Sequence, residues 1–116
     1  MAGTFELKSA KGGQYRFVLK AGNGEVILTS ESYKERAGAV NGIASVKRNA
    51  PLDERYARKT AKNGQAYFVL RAGNYQVIGT SEMYKTEQAR EKGIASVKTT
   101  SPGALTASLP AKSAAK

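Results

Sequence analysis

Gly13-Gln14-Tyr15-Arg16-Phe17-Val18-Leu19-Lys20-Ala21-Gly22-Asn23 decides the reading of this chain, because Gly64-Gln65-Ala66-Tyr67-Phe68-Val69-Leu70-Arg71-Ala72-Gly73-Asn74 repeats it 51 positions later. Tyr15, Phe17, Leu19 and Ala21 alternate with Arg16, Val18 and Lys20, the period of two that marks a strand with one buried face. The second copy keeps the alternation, with Ala66, Phe68 and Leu70 set against Tyr67, Val69 and Arg71.

Outward from this segment, Glu25 to Thr29 and Gln76 to Thr80 follow at once as second strands. The Gly22-Asn23 and Gly73-Asn74 pairs between them read as tight hairpin turns, and since Gly24 becomes Tyr75, the shared Gly-Asn pair is expected to carry the turn. Upstream, Phe5 to Ser9 and Tyr56 to Thr60 form short alternating segments, set off by the turn pairs Gly12-Gly13 and Asn63-Gly64. Each copy therefore encodes a three-stranded meander.

A helix is expected next. Ser32-Tyr33-Lys34-Glu35 has capping-box spacing, and Tyr33, Ala37, Val40, Ile43, Ala44 and Val46 recur at helical intervals. Tyr84, Ile94, Ala95 and Val97 hold the same face in the second copy, and Pro51 and Pro102 forbid continuation. Gly42 and Gly93 sit within these helices, although glycine there costs about 1 kcal/mol relative to alanine. Their recurrence points to close approach by the sheet or the sister helix, with a local helix break as the competing explanation.

The full self-match aligns residues 5–51 with 56–102 without a gap, and roughly half the pairs are identical. The expected organisation is one pseudo-symmetric domain over 1–109, built of repeat 1 (5–51) and repeat 2 (56–102), with a disordered tail over 110–116. Leu105 to Leu109 is a candidate edge strand, since it follows the second helix as Glu54 to Thr60 follow the first.

The chain of 116 residues contains neither cysteine nor histidine. That removes disulfides, the usual zinc ligands, thiol nucleophiles and the commonest general base together. No metal, cofactor or catalytic residue is expected, and the protein is read as a non-enzyme. No apolar run reaches the length of a signal peptide or a membrane span, so the expected location is the cytoplasm, without a membrane partner. Net charge is +10. It is spread evenly, with eight basic against four acidic residues over 1–51, nine against five over 52–102, and two lysines beyond. Such an excess implies attraction for polyanions without defining a site.

The pattern from Gly13 to Ile27, followed by Asn41-Gly42-Ile43-Ala44-Ser45-Val46-Lys47, resembles the YegP-like family of small bacterial proteins. The Gly-Ile-Ala-Ser-Val-Lys element recurs in the second copy at the same distance from the hairpin, although Asn41 becomes Lys92 and Asn49 becomes Thr100. The resemblance implies an α+β fold of two tandem β-β-β-α-β repeats. They form one mainly antiparallel sheet, the last strand of each unit exchanged, with two helices packed on it. It implies no activity, the family being one of unknown function.

Four side chains form the candidate surface. Arg16, Lys20, Tyr67 and Arg71 point away from the buried alternation and would set basic and aromatic groups on one sheet face, as surfaces for single-stranded nucleic acid do. An ordinary solvated face explains them as well, and Val18 and Val69 between them fit either case. Gly22-Asn23-Gly24 lacks both the third glycine and the following helix that a phosphate loop requires. Thr29-Ser30-Glu31 and Thr80-Ser81-Glu82 lack a base to activate the serine, and helix capping is the economical explanation. Lys34, Lys47, Lys85 and Lys98 recur and would form a two-fold symmetric basic surface, or simply solvate the helices. The reading is a binding or protein-interaction module, monomer or homodimer, with an unidentified partner. The alternative is a weak, sequence-nonspecific nucleic-acid binder acting through the sheet face.

Overall fold

The structure, a computed structural model, describes residues 3–108; the expected tail over 110–116 lies outside them. Strands β1 (Thr4–Ala10), β2 (Gln14–Lys20) and β3 (Val26–Ser30) are followed by helix α1 (Arg36–Asn49). Strands β4 (Tyr56–Thr60), β5 (Ala66–Arg71) and β6 (Val77–Thr80), then helix α2 (Glu87–Thr100), repeat the order, and β7 (Leu105–Ser108) ends it. All seven strands form one sheet in the order β4-β5-β6-β3-β2-β1-β7. Every pairing is antiparallel except β1 with β7.

Burial follows the alternation. Phe5, Leu7, Phe17, Leu19, Phe68 and Leu70 share one continuous core with Ala39, Ile43, Val46, Ile94 and Val97 of the helices, so both helices lie on the same face. Bulges at Leu19/Lys20 and Leu70/Arg71 insert one extra residue into β3 and β6, which lets Ile27 join Leu28 in that core, and Ile78 likewise. Helix α1 touches β1 and β2 of its own repeat and β5 and β6 of the other, while α2 touches β5 and β3. Each chain segment leaving a helix then crosses to the far half: β4 follows α1 and pairs with β5, and β7 follows α2 and pairs with β1. The expected exchange of last strands, and the edge strand after α2, are both present.

The repeats meet where β3 pairs with β6. Thr29 stands opposite Thr80, its own equivalent 51 residues on, so the pseudo-dyad passes between them. Leu28 and Gly79 are also equivalents, and the symmetry breaks there for a steric reason. A Cβ on Gly79 would stand 2.7 Å from Cγ of Leu28. One large residue fills the space at the axis that two would contest.

Three turns share one design. Ala21–Glu25, Ala61–Gln65 and Ala72–Gln76 each close with paired backbone hydrogen bonds. In each, the asparagine Oδ1 accepts from the backbone N–H two residues on. The left-handed residue is the fourth of the five: Gly24 (φ 86°), Gly64 (φ 86°) and Tyr75 (φ 70°). This corrects the expectation that Gly22-Asn23 and Gly73-Asn74 carry the turn, because the asparagine works through its side chain and the next residue takes the positive φ. In Tyr75 that conformation costs roughly 1–2 kcal/mol that glycine avoids.

The helices start later than the capping-box reading expects. Tyr33 and Tyr84 precede them, held in isolated bridges to Tyr15 and Ala66. Glu35 occupies the first cap without a side-chain bond, while Thr86 caps α2 by accepting from the Ala89 N–H. Tyr33 stacks on Phe17 and Tyr84 on Phe68. That placement explains the helical glycines: a Cβ on Gly42 would meet the Tyr33 Oη at 2.5 Å, and Gly93 faces the Tyr84 hydroxyl in the same way. The close approach is by these tyrosines, joined at Gly42 by the Phe17 ring of β2 at 2.9 Å, so the sheet takes part at Gly42, the sister helix at neither glycine, and neither helix breaks.

Between repeats a buried hydroxyl changes place. Tyr56 donates to the Ala50 carbonyl at 2.7 Å. The equivalent pair is Phe5 and Ser101, and Ser101 Oγ is fully buried without a partner among the described residues.

In urea denaturation, Gly79→Leu destabilises by about 1–3 kcal/mol through overpacking, and adding Leu28→Gly recovers part of the loss because the volume moves to the equivalent site; absence of recovery would disprove the shared-space account. Ser101→Ala raises stability by about 1 kcal/mol by removing an unsatisfied buried hydroxyl; a loss instead would mean that the hydroxyl has a partner.

Candidate nucleic-acid interface

The face opposite the helices is built by the other half of the strand alternation. Val18, Thr29, Thr80 and Val69 form a row straight across four strands, each the register partner of the next. Glu6 extends the row from β1 and Ala57 from β4. Val18 and Val69 are only 7% and 6% exposed, so they are covered and present no apolar contact patch.

Arg16, Lys20, Tyr67 and Arg71 all lie on this face, flanking the two valines. Because β2 and β5 run in opposite directions across the dyad, Arg16 and Arg71 share one half of the face. Lys8, the register partner of Arg16, joins them, as does Val77, the partner of Arg71. Lys20 and Tyr67 occupy the other half, with Lys59 opposite Tyr67. Lys20 is not equivalent to the arginines, since Glu6 binds it at 3.1 Å. Among the described residues, Arg16 and Arg71 have no ion-pair partner.

The acids that could neutralise this face stand elsewhere. Arg58, on the core side of β4, is bound by Asp53 at 3.1 Å and by Glu91 at 2.9 Å. Lys98 reaches Asp53 at 2.8 Å, and the buried Arg90 holds Glu91 at 3.2 Å while donating to the Lys59 carbonyl. The equivalent first-repeat positions of Arg58, Arg90 and Glu91 carry Leu7, Ala39 and Val40, so the ionic chain occupies positions that are apolar in the first repeat. Glu6 is the one acid among the described strand residues of the open face.

Other candidates are absorbed by structure. Ser30 Oγ accepts from the Phe17 N–H at 2.9 Å and donates to the Glu31 carbonyl, and Ser81 does the same with Phe68 and Glu82. These hydroxyls complete the sheet ladder where β3 and β6 end, and they do not cap the helices. Lys47 lies over the Phe5 ring and Lys98 over Tyr56, so half of the recurring lysine set covers aromatic faces. A shallow groove is lined by Glu25, Val26, Ile27, Glu82 and Tyr84. Burial pushes the Tyr84 hydroxyl upward and Glu82 and Glu25 push it further, which keeps it protonated and unsuited to act as a base. Among the described residues no group of three carboxylates converges as a metal site, and no helix is long and apolar enough to cross a membrane.

A duplicated α+β module with one helix-covered and one open sheet face is the class this architecture defines. The chain belongs to the family described as a domain of unknown function, DUF1508, whose model matches residues 10–56 and 61–107, one match per repeat. The UPF0339 protein YegP of Escherichia coli strain K12 is 61% identical over 98 residues, covering 84% of this chain and 89% of the relative. A UPF0339 protein of Bordetella pertussis strain Tohama I is 62% identical over 106 residues, covering 91% of this chain and 95% of the relative. The solution NMR structure of UPF0339 protein SO3888 from Shewanella oneidensis matches with a TM-score of 0.88 at 50% identity, covering 94% of this chain and 92% of that one.

The ionic chain has a testable pH signature. Hydrogen bonds from Lys98 and Arg58 hold the Asp53 carboxyl below its ordinary range. A lowered folded value means that Asp53 favours folding above the unfolded carboxylate range, about 4, and loses that contribution as pH falls through the lower folded value. Melting curves at pH 7 and pH 3 should differ less for Asp53→Asn than for the parent. An undiminished difference would assign acid sensitivity to other carboxylates.

Proposed function

We propose that this protein is a non-enzymatic binding module whose working surface is the open sheet face, and that its ligand is single-stranded nucleic acid held without sequence preference. The observation that carries the reading is the charge sorting: Lys8, Arg16, Lys20, Lys59 and Arg71 share a helix-free face with Glu6 as the only acid among its described strand residues. Phosphate attraction needs such a surface, and a helix-free sheet face with a half-buried Tyr67 leaves room for unstacked bases. A continuous core through both repeats supports treating the two halves as one binding unit.

The competing reading, an interaction surface for a folded protein, is less well supported by this face. Protein interfaces are depleted of lysine at their centres and gather apolar anchors, whereas here the central valines are covered and the surroundings are lysine and arginine.

Fluorescence anisotropy with labelled oligo-dT and oligo-U at several salt concentrations tests the proposal. Four phosphate contacts would give log K against log salt a slope of about −3, and Arg16→Glu with Arg71→Glu should abolish binding. Binding that ignores salt, or that survives both reversals, would overturn it.

A further inference from the structure

We infer that Tyr75 is a base-stacking residue that extends the Lys8–Arg16–Arg71 half of the open face around the tip of the β5–β6 hairpin. The inference rests on the reading that this face binds single-stranded nucleic acid, and it names the part of the ligand recognised there: an unpaired base.

The same five-residue turn is built three times, and twice the left-handed position is glycine, which accepts a positive φ freely. At the third it is a tyrosine with φ 70°. Strain of this kind persists where the side chain is needed, and packing does not account for the need here. Tyr75 is 76% exposed. Among the described residues its ring takes part in no aromatic pair and no cation contact, and its hydroxyl makes no hydrogen bond.

Its neighbours supply the rest of the site. Val77, two residues on, is 37% exposed and is the register partner of Arg71. A guanidinium without an ion-pair partner and an exposed ring thus stand at the same hairpin end. A nucleic-acid strand offers a phosphate and a base in that combination, whereas a simple polyanion offers only the charge. The dyad-related tip carries Gly24, so the stacking position belongs to one end of the face and gives the pseudo-symmetric surface a direction.

The test uses the full chain with Tyr75→Gly and Tyr75→Phe, thermal melting, and anisotropy titrations with labelled oligo-dT and an abasic oligomer of equal length. Tyr75→Gly should melt about 4 °C higher, because the backbone strain is relieved, yet bind oligo-dT about tenfold more weakly, equivalent to ~1.4 kcal/mol. Tyr75→Phe should bind oligo-dT as the parent does, and both variants should bind the abasic oligomer as the parent does. A more stable protein that binds less cannot owe the loss to unfolding. Unchanged oligo-dT affinity in Tyr75→Gly, or an equal loss toward the abasic oligomer, would overturn the stacking role. If the parent binds oligo-dT and the Arg16 and Arg71 reversals abolish it while Tyr75→Gly does not, the face reading stands and the stacking role falls. If the parent binds no oligomer, both fall.

Discussion

The pairing of β3 with β6 is the constraint on which the rest depends. These strands join the two repeats into one sheet, and the axis between Thr29 and Thr80 sets where every other equivalent pair lies. Close approach at that axis forbids two large side chains, so Leu28 is answered by Gly79. Once the central pair is in place, each helix spans both halves and each outgoing segment reaches the opposite edge. Removing either repeat would leave an exposed strand edge and an open core.

Duplication preserves what the shared geometry requires and releases what it does not. The tyrosine–glycine contacts of Tyr33 with Gly42 and Tyr84 with Gly93 are kept, as are the serine hydroxyls that complete the ladder. Elsewhere the two halves solve one packing problem with different chemistry. The first repeat carries the apolar Leu7, Ala39 and Val40, the last of them exposed, where the second places Arg58, Arg90 and Glu91, and ion pairs to the half-exposed Glu91 contribute little each but hold acids on the helix side. The consequence for function is indirect: carboxylates spent there do not neutralise the open face.

Much of the candidate surface was legible from alternation alone. Arg16, Lys20, Tyr67 and Arg71 fall on one face because period two leaves no other choice once Phe17, Leu19, Phe68 and Leu70 are buried. Alternation says nothing about partners across strands, so the Lys20–Glu6 bridge and the grouping of Arg16 with Arg71 and Lys8 were not readable. The role of Tyr75 is hidden in the sequence for a related reason. Identity between the repeats falls on the Gly-Asn residues, while the turn is made by the asparagine side chain and the positive φ that follows it.

What the sequence by itself determined is therefore local: strands, turn locations, the repeat, and the stop of each helix before Pro51 and Pro102, all governed by neighbouring side chains and backbone freedom. Family membership was also readable, through the residues that the repeats share. Only the tertiary structure decided where the helices begin, since Tyr33 and Tyr84 are drawn out of helical phase by bridges to distant strand residues. It likewise decided which charges remain without ion-pair partners, because pairing depends on register and strand direction across an axis that no short stretch of sequence encodes.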